Sequence, residues 1–150
     1  MQQFTSHMAQ ALAEAQAAAD RGEVPVGAVL VAPDGRVVAA AGNRTRADRD
    51  PTAHAEILAI RAACTALGSE RLPGHALWVT LEPCPMCAAA ISATRIERLY
   101  FGADDPRTGG VLHGARVFDH PQCHHRPQIY DGIRAPESRQ LLRSFFATRR

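Results

Sequence analysis

The chain has 150 residues and a mass of 16.2 kDa; 46% of its residues are hydrophobic and 21% charged, and the net charge is +2. At roughly 100–200 residues per domain this predicts one domain over 1–150, long enough to build a core unaided. The composition excludes disordered and low-complexity classes, and the near balance of 17 basic against 15 acidic residues excludes bulk electrostatic coating of nucleic acid.

No apolar run approaches the roughly 20 residues that a membrane helix needs, so no membrane association is expected. Met1–Gln10 lacks the basic and apolar regions of a secretory signal, which places the protein in the cytoplasm by expectation. In chain order, Ala9–Ala19 is rich in strong helix formers. Val26–Val31 and Arg36–Ala41, separated by Pro33-Asp34-Gly35, read as a β-hairpin whose first strand is buried on both faces. Asn43–Asp50 is a polar, Arg-rich loop. Asp50-Pro51 reads as a helix cap with proline at the first helical position, the helix running to about Leu67 and stopping at Gly68.

Ala76–Leu81 is a third strand, and Pro83-Cys84-Pro85 opens a helix reaching about Thr94. Leu99–Phe101 is a short fourth strand, Asp104–Gly114 is turn-rich, and Val117–Phe118 suits a brief helix. Gln128–Tyr130 is a last strand before a closing helix over Ala135–Arg149, with Leu141, Leu142, Phe145 and Phe146 as its apolar stripe. Strands alternating with helices predict an α/β/α sandwich around a mixed sheet of about five strands.

Chemistry concentrates in two segments, His54-Ala55-Glu56 and Pro83-Cys84-Pro85-Met86-Cys87, each at a helix start. Cysteines three apart share a helix face, and a helix N-terminus stabilises thiolates. Two thiolates and a neutral imidazole suit Zn²⁺, and three protein ligands leave the fourth position for water, as in a catalytic site. Glu56 is then free to move protons. His54 and Glu56 are two apart, so both reach one ion only if their helix meets it end-on. An H-x-E followed by PCxxC is the signature of zinc nucleobase deaminases. The bland alternative is a closed structural zinc site completed by Cys123, His124 or His125. Cys64 fits poorly, lying about 15 Å further along the helix than His54, and reads as a buried thiol.

The stretches 23–29 (EVPVGAV), 50–56 (DPTAHAE), 79–84 (VTLEPC) and Phe101-Gly102-Ala103, with the terminal Phe145-Phe146 and Arg149-Arg150, closely resemble the bacterial tRNA-specific adenosine deaminases of the cytidine/deoxycytidylate deaminase superfamily. The HAE and PCxxC parts are shared across that superfamily, and the flanking stretches are more particular. The resemblance implies a cytidine-deaminase fold working as a homodimer, and hydrolysis of adenosine to inosine at the tRNA wobble position. It assigns His54, Cys84 and Cys87 as ligands of one Zn²⁺ per subunit and Glu56 as the proton shuttle. Asn43, the only asparagine in the chain, and Ala55 match base-contacting positions. Asp105 matches an acidic residue beside the anticodon loop, and Arg149 a C-terminal arginine close to the RNA.

Every one of the 17 basic residues is arginine. Arg44, Arg46 and Arg49 after Asn43, and Arg139 and Arg143 near the C-terminus, could meet phosphates or could be solvated. Trp78 reads as core, and His113 and His120 are candidates for the pocket mouth. Residues 108–126 depart from the family pattern at Leu112-His113 and at His124, which stands where an asparagine is usual. That leaves two rival readings: a deaminase of free guanine, cytosine or related compounds on the same zinc site, and a non-catalytic zinc module that binds RNA.

Overall fold

The computed structural model describes residues 5–149. The unbroken apolar run after Pro25 forms β1 (Gly27–Val31), whose residues are all buried. It hydrogen-bonds antiparallel to β2 (Val37–Gly42) on one side and β3 (Ala76–Leu81) on the other. Strand β4 (Arg98–Ala103) lies parallel to β3, and β5 (Gln128–Tyr130) parallel to β4, giving the order β2-β1-β3-β4-β5. The sheet is therefore mixed and five-stranded, as the alternating pattern predicts.

Alternation along β1 sends its side chains to two cores. Ala28 and Leu30, with Leu77, Val79, Leu99 and Phe101, pack under α2 (Ala55–Leu67) and α3 (Pro85–Thr94). Val29 and Val31, with Trp78 and Tyr100, pack on the opposite side against Met8, Ala11 and Leu12 of α1 (Met8–Asp20). Helix α4 (Ala135–Ala147) adds Leu141 there, completing three layers. Trp78 is 2% exposed and stacked on Tyr100 with ring centroids 3.9 Å apart, so it is core as expected. Full burial of a side chain such as Leu77 or Phe101 contributes about 1.5–3 kcal/mol each.

The structure differs from the sequence expectation in several details. Helix α2 begins at Ala55, not at Pro51. The Asp50 carboxylate turns back to accept the Thr52 N–H and hydroxyl at 2.9 and 2.7 Å, an Asx turn that uses the same chemistry as a helix cap. The end is as expected, at Gly68 in the left-handed conformation. Strand β4 is longer than Leu99–Phe101. The apolar stripe of α4 is incomplete: Phe145 is buried but Phe146 is 52% exposed. Cys64 is half-buried against the α2–α3 core, not fully buried. The brief helix is a 3-10 turn over Val117–Asp119. Arg150 lies outside the described residues.

Candidate active site

Two helix N-termini meet beside the C-terminal end of β3. His54 is the N-cap of α2 and keeps an extended backbone (φ −73°, ψ 153°), so its side chain leaves the helix while Glu56 stays in the first turn. That difference lets residues two apart reach one point. Cys84 is likewise the extended N-cap of α3, Pro85 occupies the first helical position, and Cys87 follows in the first turn. Each cap's carbonyl accepts the first bond of its helix, from Leu58 at 3.0 Å and Ala88 at 2.9 Å.

His54 Nδ1 lies 3.6 Å from Cys84 Sγ and 3.5 Å from Cys87 Sγ. Tetrahedral zinc with bonds of about 2.0–2.1 Å to nitrogen and 2.3 Å to sulfur holds such atoms roughly 3.6 Å apart, so the donor set fits that ion in type and spacing. These three form the metal-competent group among the described residues. Cys123 is not in it: its thiol lies 3.3 Å from Ser92 Oγ and donates to the His125 carbonyl. His125 Nε2 lies 2.7 Å from the Ile96 carbonyl. The closed structural site therefore has no fourth protein ligand from that segment.

Electrostatics separate the three acidic groups. The Cys87 hydrogen bond draws the Cys84 thiol down to about 4, helped by the His54 imidazole. Its partner Cys87 is driven the other way by that shared proton and by burial. Hydrogen bonding to Cys84 also raises His54. Glu56 is 4% exposed, and burial pushes its carboxyl up to about 7.

Asn43 and Ala55 stand together. Asn43 is 8% exposed, and its Oδ1 accepts the Ala55 N–H at 2.8 Å. Because Ala55 N–H can only donate, the amide orientation is set, and the Asn43 NH₂ is the half left for a ligand. Asp105 lies in the loop after β4, where its carboxylate accepts the Arg107 and Thr108 N–H groups, both at 3.1 Å, and the Thr108 hydroxyl. Arg149 is not brought to this cluster. Its guanidinium stacks 3.8 Å over Phe145 and faces Gly22 after α1, in the other helical layer. His113 Nε2 pairs with Asp104 at 3.0 Å, and His120 Nε2 lies 2.7 Å from the Ala115 carbonyl. Arg44 pairs with Asp48 on the surface.

Sequence reading missed two buried carboxylates. Glu23 accepts the Arg46 and Ala47 N–H groups at 3.2 and 2.8 Å, and so holds the loop that follows Asn43. Glu82 accepts four backbone N–H groups from residues 105–113. The one signal in the sequence was a glutamate directly after the apolar run of β3.

A family profile for the cytidine and deoxycytidylate deaminase zinc-binding region matches residues 1–103. The tRNA-specific adenosine deaminase of Agrobacterium fabrum is 59% identical over 150 residues, covering 100% of this chain and 98% of that protein. This chain belongs to the cytidine and deoxycytidylate deaminase family, among its tRNA-specific adenosine deaminases. The deaminase family's zinc is thereby its cofactor. A solved structure from a study of A-to-I editing by tRNA:A34 deaminases at the wobble position of transfer RNA superposes with a TM-score of 0.88 at 61% identity, covering 90% of this chain and 97% of that one. The guanine deaminase of Bacillus subtilis, a relative in fold, superposes with a TM-score of 0.64 at 30% identity over 97% of this chain and 94% of its own.

Proposed function

We propose that the chain hydrolyses adenosine to inosine at the wobble position of a tRNA anticodon loop, as a homodimer in the cytoplasm, with one catalytic domain over 1–150. The observation that carries the reaction class is a buried carboxylic acid, Glu56, beside three metal-competent atoms and not among them. A structural zinc module has no use for such a group.

In this reading His54, Cys84 and Cys87 hold one Zn²⁺. When bound, the ion lowers the pKa of a water molecule to about 7 and so supplies hydroxide at neutral pH. Glu56, a buried carboxyl that burial favours in its protonated form, is placed to exchange protons in both directions. It takes a proton from the attacking water and places one on adenine N1, which makes C6 electrophilic. It then takes the remaining proton from the hydroxyl added at C6 and delivers it to the departing amine. The C6 oxygen becomes the inosine carbonyl, and adenosine and water become inosine and ammonia. The Asn43 NH₂ donates to the purine, while Ala55 fixes the Asn43 orientation from the pocket floor. The target base must leave its stack, which costs least in a single-stranded loop.

Substrate class rests on the full-length relatives and on the surface near the site. A cleft of about 450 Å³ lies beside the 105–108 turn, lined by Asp105, Arg107, Arg139, Arg143 and the exposed Phe146. Arginines with an aromatic face suit phosphates and unstacked bases. Arg149, at the end of the same helix, would contact RNA flanking the anticodon.

The test is inosine formation in an anticodon stem-loop with adenosine at the wobble position, run beside ammonia release from guanine, cytosine, adenosine and cytidine. Inosine with no free-base turnover supports the reading. Free-base turnover with an untouched stem-loop would replace it with a small-molecule deaminase. Light scattering at twice the chain mass checks the dimer.

A further inference from the structure

Glu82 ends β3's run toward Cys84 and is 2% exposed, yet it takes no part in the chemistry described above. Its Oε1 accepts the Asp105 N–H at 2.9 Å. Its Oε2 accepts the N–H groups of Val111, Leu112 and His113 at 3.1, 2.9 and 3.1 Å. One buried carboxylate thus closes both ends of the 105–113 loop. A carboxylate accepting several backbone N–H groups forms charge-assisted bonds roughly twice as strong as neutral ones.

The loop that Glu82 closes touches both halves of the site. On its inner side Gly110 donates its N–H to the Pro83 carbonyl at 2.8 Å and lies so close that a Cβ there would meet Pro85 N at 2.6 Å. On its outer side Asp105 and Thr108 line the arginine-bearing cleft. From its far end His113 reaches Asp104, which also takes Arg139 of α4 at 3.1 Å.

We infer that Glu82 is a positioning residue for substrate capture: it holds the 105–113 loop against the Cys84–Pro85 turn, so that the cleft and the zinc ligands keep one relative placement. The inference rests on the RNA reading above. Both oxygens are used, so glutamine cannot substitute. Its NH₂ would face either the Asp105 N–H or the three N–H groups of 111–113, and one end of the loop would be released.

The experiment compares zinc-loaded wild type with Glu82→Gln and Gly109→Ala. In the latter a Cβ would lie 2.4 Å from Glu82 Oε2, so the anchor is disturbed with its charge intact. Expected are unchanged zinc content, a KM for the stem-loop raised roughly tenfold or more, and kcat within about threefold. The amide protons of Asp105, Val111, Leu112 and His113 should exchange roughly tenfold faster. A lowered kcat at unchanged KM, or unaltered exchange at those four amides, overturns the proposal. Should Glu82→Gln fail to fold, an unaltered KM in Gly109→Ala overturns it equally. A wild type that leaves the stem-loop untouched defeats the RNA reading alone, and amide exchange then decides whether Glu82 holds the loop.

Discussion

Asn43 Oδ1 accepts the Ala55 N–H at 2.8 Å, so a single side chain joins the loop after β2 to the helix start that presents His54 and Glu56. Two substitutions separate its structural and substrate roles. Asn43→Ala orphans a buried N–H and should cost about 1–3 kcal/mol of stability together with activity. Asn43→Asp keeps the acceptor and loses the NH₂, so urea melts should stay near wild type while kcat/KM collapses. Equal stability loss in both variants would contradict the assignment.

Glu56→Gln tests the proton shuttle. The variant should retain zinc and lose roughly 100- to 10,000-fold in kcat. It should also change the pH dependence of the metal-free protein. A carboxyl raised to about 7 in the fold binds more protons there than in the unfolded chain between about pH 4.5 and 7. Its contribution therefore weakens stability as pH rises through that window, by up to roughly 3 kcal/mol. Denaturant midpoints of chelator-treated wild type and variant, compared at pH 5 and 8, should diverge at the higher pH, with the glutamine form more stable.

Metal removal should expose one reactive thiol of the pair. With Cys84 at about 4 and Cys87 held as a thiol, alkylation of chelated protein at pH 7 should modify Cys84 first, as mapped by peptide mass. Zinc should protect both. Cys84→Ala and Cys87→Ala should each lose zinc, melting temperature and turnover; a full zinc complement in either would overturn the ligand set.

Arg143 lines the cleft beside Phe146 and the 105–108 turn. Arg143→Ala should weaken stem-loop binding evenly across loop sequences and lower the slope of log K against log salt by about 0.7–1, the release of one phosphate contact. A changed preference for loop sequence would instead make it a base reader.

The α/β/α layering and every strand were legible because apolar runs such as Ala76–Leu81 and the buried Gly27–Val31 are too short for core helices and are flanked by turn residues. The metal-competent group of His54, Cys84 and Cys87 was legible because H-x-E and PCxxC are local. The start of α2 was not, since Asp50 and Pro51 mark an Asx turn as readily as a cap. The end of α3 at Thr94 is as expected, although its left-handed cap is Arg95 (φ 68°) in place of the usual glycine. Glu23 and Glu82 were invisible because their partners are backbone N–H groups more than twenty residues away. Arg149 could be matched by position, but which sheet face it lies on depends on how α4 docks.

Glu82 hydrogen-bonds main-chain N–H groups of the 105–113 loop, with the His113 ring 3.9 Å from its Oε1, and this shapes how the enzyme can change. At the exposed position 112 any residue except proline keeps the N–H that the anchor uses, because proline alone lacks the donor, whereas Val111 is fixed by its burial in the core. The loop beside the site is thus a fixed frame with a replaceable side chain at the exposed position 112. New substrate preferences could be sampled there by substitution, while His54, Cys84 and Cys87 stay where they are.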